Sequence, residues 1–416
     1  MRLTKAGARP LTCQRDSTTV VSVLDDIMCV MTRSVPPMPA PVLPTTSRVL
    51  ETGNHVIYGD AGSVLEELVS SGYENVRLAL LDPPYNTRST FHHYGDRQNS
   101  DVWLETRRRH MMLIHELLHP LGSVWIHLDD SEHHYARVMF DEVFGRANYV
   151  STLVWQKTLS RENRTAISSA HEYILVYAKD RKAWARSRNL LDATPEQLAR
   201  YKNPDNDPRG PWTSGDATAK AGPGRRAAQF YSVTLPSGRT VNPAPGMAWR
   251  FTRERFEEMV AEGRIWFGAK GDNMPRVKRY LSETKGGLVP TTWLSGDEVG
   301  TTDSAKKELR RLFPDMVPFE TPKPEPLTAR IIKIATNPGD LVLDCYAGSG
   351  TSAAVAHKLG RRWVAIEREG RTVEEVLIPR VHRVVEGEQG GISTQIGWKG
   401  GGSFAVHGNI PEQLRV

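Results

Sequence analysis

The feature that most constrains the fold is an apolar strand that ends abruptly in two prolines. Val76–Leu81 is almost continuously apolar, as in a strand that is buried on both faces of a sheet. Asp82-Pro83-Pro84-Tyr85 follows at once, and the prolines cannot continue a central strand because neither has a backbone N–H to donate. The tetrapeptide therefore lies just past the carboxyl end of a buried strand.

Strands and helices alternate on both sides of this corner. The apolar runs predict strands at 55–58, 76–81, 123–128, 150–155, 340–345 and 363–367. The helical patterns cover 62–70, 101–119, 131–144, 327–336 and 351–359. Strands that alternate with helices predict an α/β protein with a mostly parallel sheet.

The stretch 156–315 interrupts this alternation. It is rich in turn residues and contains five tryptophans, which predicts a separate and irregular α+β insert. Residues 1–48 are Pro-rich without sustained periodicity and predict a disordered tail, within which Met31 is an alternative start. The resulting division is 1–48, 49–155, 156–315, 316–385 and a Gly-rich tail at 386–416, whose structure the pattern does not predict.

The positive charge of the chain is concentrated in the insert. Residues 156–315 contain 28 Lys and Arg against 19 Asp and Glu, whereas the remainder contains 26 against 29. A localised basic surface suits a polyphosphate partner such as DNA, because each neutralised phosphate releases counterions. A solvated face on an ordinary domain remains the alternative explanation.

Composition excludes several other classes of protein. No apolar run approaches the roughly 18 residues of a membrane span, and the run Val20–Leu24 is too short for a secretory signal. The three cysteines, Cys13, Cys29 and Cys345, have neither disulfide nor zinc-site spacing. We therefore expect no membrane partner, and a reducing cytoplasm as the location.

A glycine-rich turn between a strand and a helix is typical of a nucleotide-type ligand site. Asp344 ends the strand, Gly348 and Gly350 allow close backbone approach, and Thr351 begins the helix. Glu367 ends the next strand, where a carboxylate can accept hydrogen bonds from both hydroxyls of a ribose. An acidic residue beside the turn would repel a pyrophosphate but suits a cation such as S-adenosylmethionine. A purely structural turn and a nicotinamide dehydrogenase are the alternatives.

The Asp82–Tyr85 corner predicts transfer of a methyl group to an exocyclic amine. The Asp82 carboxylate and the Pro83 carbonyl can accept the two N–H bonds of the amine and free its lone pair, while Pro84 helps to fix the backbone. Tyr85 offers a ring on which a base taken out of the duplex can stack. No cysteine follows a proline, which disfavours C5 methylation of cytosine, a reaction that needs a nucleophile.

In this order, the corner, the basic insert and the glycine turn resemble the permuted, or beta, class of DNA amino-methyltransferases. The similarity is greatest to the modification subunits of type III systems and to related solitary adenine-N6 methyltransferases. It rests on Tyr58-Gly59-Asp60, Leu81-Asp82-Pro83-Pro84-Tyr85-Asn86-Thr87, Ile126-His127-Leu128-Asp129-Asp130-Ser131-Glu132, His171-Glu172-Tyr173-Ile174, the segment 203–210, and Lys323-Pro324 with Leu327. Cys345-Tyr346 departs from the Pro-Phe that the family often has, but keeps an aromatic ring.

The resemblance implies a doubly wound, Rossmann-like sheet of seven strands that binds S-adenosylmethionine. In that arrangement 49–155 is the catalytic half, 156–315 the target-recognition region, and 316–385 the cofactor-binding half. Asp82, Pro83, Pro84 and Tyr85 would form the catalytic element. The cofactor would contact Asp60, Lys323, Asp344, Tyr346, Gly348, Gly350, Thr351 and Glu367, with Lys323 reaching its methionine carboxylate.

The implied reaction is methylation of the N6 amino group of a flipped-out adenine in double-stranded DNA. Cytosine-N4 methylation and a non-catalytic DNA-binding module with a relic cofactor fold are the alternatives. The chain is shorter than typical type III modification subunits, so a restriction subunit stays open as a partner, as does a homodimer. Neither the DNA sequence that is recognised nor the presence of a nuclease follows from the residues.

Several other residues suggest sites that their context does not support. His92-His93, His127 and His133-His134 lack the spacing of metal ligands, and methyl transfer to an amine needs no metal, so we predict none. Trp155 fits the core better than a stacking position. Arg225-Arg226 suits a phosphate contact and a solvated loop equally.

Overall fold

The computed structural model describes residues 53–86, 99–221, 227–284, 287–315, 319 and 321–408. The strands, in chain order, are β1 His55–Tyr58, β2 Val76–Leu81, β3 Leu118–Leu128, β4 Tyr149–Gln156, β5 His171–Ala178, β6 Trp212–Asp216, β7 Thr218–Lys220, β8 Val233–Thr234, β9 Thr240–Val241, β10 Met247–Trp249, β11 Ile265–Trp266, β12 Arg276–Tyr280, β13 Trp293–Leu294, β14 Leu341–Asp344, β15 Arg362–Glu367 and β16 Ala405–His407. The α-helices are Ala61–Ser70, Ser100–Leu117, His133–Phe140, Arg181–Ser187, Pro195–Leu198, Arg253–Ala261, Gly296–Val299, Thr302–Leu312, Glu325–Ala335, Thr351–Lys358, Gly370–Thr372, Ile378–Val385 and Ser393–Ile396. The predicted tail at 1–48, Arg225-Arg226 and His92-His93 lie outside the described residues.

A central sheet organises the molecule, with the strand order β13-β4-β5-β3-β2-β14-β15-β1-β16. All its pairings are parallel except those of β5, which runs antiparallel to both β3 and β4. The mostly parallel α/β fold predicted from the sequence is confirmed. Seven strands, β4 to β1, form the expected sheet, and the short strands β13 and β16 extend its two edges.

Both faces of this sheet are covered, which explains the continuous apolar runs in its strands. Within β2, Leu78 and Leu80 belong to the hydrophobic core on one face, whereas Ala79 and Leu81 belong to the core on the other. All six residues of β2 are buried. The strand that carries the Pro-Pro corner is therefore anchored from both sides.

Two strands that the sequence analysis did not predict, β5 and β13, fall within the stretch assigned to the insert but lie in the central sheet. β5 pairs with β3 and β4, and β13 pairs with β4, although both fall within 156–315. The insert boundary was drawn from charge and turn residues, neither of which reports on strand pairing. The polar segment 157–170 joins β4 to β5. Because it begins the basic stretch, the apolar run of β5 that follows was assigned to the insert with it.

The remainder of the insert has small sheets and a hydrophobic core of its own. β6, β12 and β11 form an antiparallel sheet, β7 pairs with β10, and β8 pairs with β9. Trp249, Phe256 and Met259 lie in the separate core. The irregular α+β character of this part agrees with the prediction.

The Gly-rich C-terminal segment, for which the sequence analysis made no structural prediction, contains a helix and a strand within its described residues. A short helix, Ser393–Ile396, precedes β16, which adds to the sheet beside β1 with His55 opposite Ala405. The glycines Gly400, Gly401 and Gly402 all have positive φ, so they turn the chain back towards the sheet. The side chain of Asn54 donates to the Ser403 carbonyl over 2.9 Å, which fixes this return.

Candidate active site

One cavity of about 280 Å³ opens at the carboxyl edge of β2, β14, β15 and β1. Parallel strands bring their carboxyl ends to the same edge, so residues far apart in the chain meet there. Asp82 and Gly348 both line the cavity. Eleven of the twelve predicted site residues line it, namely Asp60, Asp82, Pro83, Pro84, Tyr85, Lys323, Asp344, Tyr346, Gly348, Thr351 and Glu367, and Gly350 does not.

The Asp82–Tyr85 corner is held by contacts to two other segments of the chain and by one hydrogen bond within the corner. Lys323 Nζ donates to Asp82 Oδ2 over 2.6 Å, and the Tyr85 hydroxyl donates to Asp82 Oδ1 over 2.7 Å. Trp103 Nε1 donates to the Pro84 carbonyl over 2.7 Å from the helix Ser100–Leu117. The corner is thus rigid both in its own backbone and through its neighbours.

Glu172 completes a charge-balanced cluster that the sequence did not assign to the site. Its carboxylate accepts from the Tyr85 hydroxyl over 3.1 Å and from Lys157 over 3.3 Å, and lies 3.7 Å from Lys323 Nζ. Burial alone would lower the pKa of Lys323, but Asp82 and Glu172 raise it above its ordinary value. Burial and the same two carboxylates raise the pKa of Tyr85 well above its ordinary range, so its hydroxyl remains a donor.

The structure places Lys323 against the Asp82–Tyr85 corner. Its ammonium is buried and engaged by Asp82 at 2.6 Å, whereas the resemblance had implied a contact with a cofactor carboxylate. Lys323 also lines the shared cavity. Its role towards a cofactor therefore stays a prediction, and its contact with Asp82 is the one that the structure shows.

The glycine turn carries a buried carboxylate at its start. Asp344 accepts from the Tyr346 amide over 2.9 Å and from the Ser352 hydroxyl. Burial raises the pKa of Asp344 to about 7, although these two hydrogen bonds oppose the shift. The carboxyl is therefore poised between its neutral and charged forms near neutral pH.

The two glycines leave room where any side chain would collide. Gly348 has φ of +46°, and a Cβ there would lie 3.1 Å from the Phe319 ring. Gly350 has φ of +75° and would meet Leu377 at 2.6 Å. Gly348 thus keeps the wall of the cavity open, whereas Gly350 serves the packing of the turn.

Glu367 ties the glycine turn to the end of β15. One carboxylate oxygen accepts from the Gly348 amide over 2.8 Å, and the other accepts from the amides of Arg368 and Glu369, each over 2.9 Å. Burial raises the pKa of Glu367, and these backbone donors limit the shift. Asp60, beyond the end of β1, caps the helix Ala61–Ser70 by accepting from the Ser63 amide over 3.1 Å.

These acidic residues fit a cationic ligand. Asp60, Asp344 and Glu367 line the cavity, and none has an ion-pair partner within the described part of the chain. Asp344 is buried, and a buried carboxylate without a counterion is costly, so a ligand that brings positive charge to it would be favoured. Together with the space beside Gly348, the donor set suits S-adenosylmethionine, the predicted cofactor.

Two further cavity residues come from the helix Ser100–Leu117 and were missed by sequence reasoning. Arg107 donates to the Tyr346 hydroxyl over 3.1 Å, and His110 Nδ1 lies 2.6 Å from the same oxygen. Burial lowers the pKa of His110 to about 4, so its ring is neutral at physiological pH. Trp103, Arg107 and His110 recur at helical spacing on the buried face, and that was the signal available in the sequence.

The remaining residues that had suggested sites have structural surroundings. Trp155 is fully buried and donates to the Gly300 carbonyl over 2.9 Å, as expected of a core residue. The thiol of Cys345 is buried, which raises its pKa well above the ordinary value and makes it a poor nucleophile. No group of three metal-ligating side chains occurs among the residues with described positions.

The segment 203–210, one of those that carry the family resemblance, forms a hydrogen-bonded cluster around Asp207 in the insert. Asp207 accepts from Arg209, Lys278 and Tyr280, each over 2.8 Å. Hydrogen bonds from these partners hold its pKa far below the usual range, although burial opposes the shift. The segment is therefore held against β12 by an ion pair with Lys278 and a hydrogen bond from Tyr280, which gives it a structural role.

Comparison with known proteins identifies relatives over most of the chain. The family model N6_N4_Mtase, described as DNA methylase, matches residues 76–377. The Mod subunit of the type III restriction-modification enzyme StyLTI of Salmonella typhimurium is 30% identical over 330 residues, which cover 72% of this chain and 49% of that protein. The type II methyltransferase M.EcaI of Enterobacter cloacae is 29% identical, covering 76% of this chain and 66% of that protein.

The chain spans about half to two thirds of the length of these relatives, so the rest of each relative has no matching residues in this chain. Among solved structures, the PvuII DNA methyltransferase, described as cytosine-N4-specific, aligns with a TM-score of 0.43 and 13% identity. The alignment covers 83% of this chain and 91% of that one. No described helix is long and apolar enough to cross a membrane.

Proposed function

Because the chain belongs to the DNA methylase family whose model it matches over residues 76–377, we propose that it transfers a methyl group from S-adenosylmethionine to adenine N6 in double-stranded DNA. The observation that supports this most is the single cavity lined by both Asp82 and Gly348. A methyl donor and an acceptor amine must meet within bonding distance, and a shared cavity provides that proximity.

The glycine turn and its acidic neighbours hold the cofactor. When bound, S-adenosylmethionine supplies an electrophilic methyl group on a positively charged sulfur. Asp344 and Asp60 provide negative charge for its cationic groups, and Glu367 accepts hydrogen bonds from the ribose hydroxyls. Gly348 allows close backbone approach, Gly350 and Thr351 shape the turn and the helix start, and Tyr346 forms one wall.

The corner orients and activates the amine. Asp82 and the Pro83 carbonyl accept its two N–H bonds, which draws the nitrogen lone pair out of conjugation with the ring. The Asp82 carboxylate also provides a nearby acceptor for the proton that the methylated amine must lose. Pro84 stays fixed through Trp103, so both acceptors keep their direction.

Tyr85 has to change partners when a base enters. Its hydroxyl donates to Asp82 Oδ1 over 2.7 Å, and this oxygen is one that the amine needs as an acceptor. Release of that hydrogen bond frees the oxygen and turns the ring into a stacking surface for an adenine flipped out of the duplex. Glu172, at 3.1 Å from the same hydroxyl, can keep the ring nearby.

The insert supplies the DNA-binding surface in this proposal. Several of its arginines are already neutralised within it, among them Arg264 by Glu283 and Arg276 by Asp216. Exposed cations without an ion pair to a described residue remain available for phosphates, namely Lys202, Lys220, Arg250 and Arg279. The insert then serves as the target-recognition region, with the catalytic half at 49–155 and the cofactor-binding half at 316–385.

The names of the relatives indicate which partners other than DNA should be considered. The StyLTI relative is the Mod subunit of a type III restriction-modification enzyme, so a restriction subunit is the first candidate. A homodimer is the second. The cytoplasm is the proposed location, and the buried free thiol of Cys345 agrees with a reducing compartment.

Mass spectrometry of nucleosides tests the proposed reaction. The full chain is incubated with host DNA that lacks methylation and with S-adenosylmethionine that carries a deuterated methyl group. Labelled N6-methyldeoxyadenosine is the expected product. Labelled N4-methyldeoxycytidine would instead support the cytosine alternative, which the family model also covers. Absence of any cofactor binding by calorimetry would indicate a DNA-binding module with a relic cofactor fold.

A further inference from the structure

Four cationic side chains line the cavity, and they differ in whether a carboxylate neutralises them. Lys323 lies 2.6 Å from a carboxylate oxygen, Lys157 lies 3.3 Å from one, and Arg368 lies 3.2 Å from one. Their partners are Asp82, Glu172 and Glu369, respectively. Arg107 has no ion pair with any residue of the described part of the chain, so its positive charge is the one left for a ligand.

The surroundings of Arg107 hold it in place without neutralising it. Its guanidinium carbon lies 5.3 Å from the Trp103 ring centroid and 4.9 Å from that of Tyr346. The residue is 5% exposed, and its Nε has no hydrogen-bond partner among the described residues. A buried charge with an unused donor is costly unless an anion occupies the site.

The position of Arg107 links the two halves of the cavity. Trp103, on one side of the guanidinium, donates to the Pro84 carbonyl of the catalytic corner. Tyr346, on the other side, belongs to the glycine turn and accepts from Arg107 Nη1 over 3.1 Å. A planar guanidinium matches a carboxylate better than any other side chain, because its parallel N–H groups bind both oxygens.

We infer that Arg107 is the anion site of the cavity and binds the amino-acid carboxylate of the cofactor. The inference rests on the proposed binding of S-adenosylmethionine, which carries one carboxylate besides its two cationic groups. Asp60, Asp344 and Glu367 suit the cationic and hydroxyl groups, whereas Arg107 suits the carboxylate. Lys323, to which the family resemblance gave that contact, is committed to Asp82 and Glu172.

Calorimetry with two ligands separates this role from a structural one. S-adenosylmethionine and its decarboxylated analogue differ only in the carboxylate, so their affinity ratio reports the contact to that group. The wild-type full chain is expected to bind S-adenosylmethionine roughly 10- to 100-fold more tightly than the analogue. Arg107→Gln should abolish that preference, and Arg107→Lys should keep part of it.

Two control variants define the result. Tyr346→Phe removes a hydrogen bond to Arg107 but leaves its charge, so the preference should persist. Lys323→Gln should also retain the preference. The inference is overturned if Arg107→Gln keeps the wild-type preference, if Lys323→Gln loses it, or if Arg107→Gln weakens both ligands equally. A wild-type protein that binds neither ligand would instead refute the proposed function, and thermal melting of each variant verifies that it is folded.

Discussion

Lys323 Nζ lies 2.6 Å from Asp82 Oδ2, although 241 positions separate the two residues in the chain. Asp82 follows β2, whereas Lys323 precedes the helix Glu325–Ala335 that leads into the glycine turn. Glu172, from β5, lies 3.7 Å from the same ammonium and adds a third segment. The Asp82–Tyr85 corner is therefore joined electrostatically to the segment that precedes the helix Glu325–Ala335.

Replacement of Lys323 by Met should damage both stability and catalysis. The change leaves Asp82 and Glu172 facing each other without their shared cation, and breaking a buried pair costs roughly 3 kcal/mol. Urea unfolding measures the stability loss, and single-turnover methylation measures the rate. Lys323→Arg keeps the charge and should retain more of both, and equal loss in the two variants would contradict an electrostatic role.

Glu172→Gln should slow methyl transfer without preventing DNA binding. The variant removes the counter-charge of Lys157 and weakens the contact of Glu172 with Tyr85, so the corner loses its charge balance. Because hydrogen bonds to charged groups contribute about 1.5–3 kcal/mol, the single-turnover rate should fall roughly 10- to 100-fold. Glu162→Gln, an exposed change in the segment that joins β4 to β5, is the matched control and should leave the rate unaltered.

The sequence predicted those site residues that lie at the carboxyl ends of predicted strands. Asp82, Asp344 and Glu367 each end an apolar run, and parallel strands then place them along one edge of the sheet. Their meeting in one cavity was therefore predictable. The distances between them were not, because they depend on the register of pairs such as Leu343 opposite Ala79.

The residues that were missed depend on tertiary pairing. Glu172 reaches the site only because β5 inserts between β3 and β4, and local charge composition carries no information about that. Arg107 lies on the buried face that its helical spacing from Trp103 indicates, but that spacing does not show that the face lines a cavity. β16 was missed because the glycines before it leave no alternation of apolar and polar residues in the sequence. The strand forms through pairing with β1, which the local sequence does not indicate.

The affinity for S-adenosylmethionine should rise with pH around neutrality. Burial raises the pKa of Asp344 to about 7, and a cationic ligand requires the charged form. At pH 6 roughly nine in ten of these carboxyl groups are protonated, so binding must expel a proton and weakens by about tenfold relative to pH 8. Calorimetry across this range measures the effect.

Asp344→Asn provides the matching control for that pH dependence. The variant has no titrating group at this position, so its affinity should be lower and nearly constant between pH 6 and pH 8. A pH dependence in Asp344→Asn as steep as in the wild-type protein would show that another group is responsible.

Arg380 should stabilise the glycine turn through its hydrogen bonds to Ser349 and Thr351. It is fully buried and donates to the Ser349 carbonyl over 3.2 Å, to Thr351 Oγ1 over 2.8 Å and to Glu325 over 3.1 Å. Burial alone would raise the pKa of Glu325, but Arg380 and Lys358 lower it. Arg380→Met should therefore cost roughly 3 kcal/mol or more in urea unfolding and weaken cofactor binding.

Arg371→Met is the comparison for this prediction. Arg371 forms an exposed ion pair with Glu375 and lies only a few positions earlier in the chain. Exposed pairs contribute about 0–1 kcal/mol, so this variant should unfold close to the wild-type midpoint. Similar losses in the two variants would mean that burial of the Arg380 network is not what stabilises the turn.

The most direct measurement is the single-turnover rate of N6-adenine methylation by Asp82→Ala, with cofactor and DNA both shown by titration to be bound. This variant should still bind S-adenosylmethionine, since Asp344 and Glu367 remain. It should form labelled N6-methyldeoxyadenosine at least roughly 100-fold more slowly than the wild-type protein, because removal of one oriented hydrogen-bonding group from an active site typically costs about that factor. A wild-type rate in Asp82→Ala would contradict the assignment of the Asp82–Tyr85 corner as the site of methyl transfer.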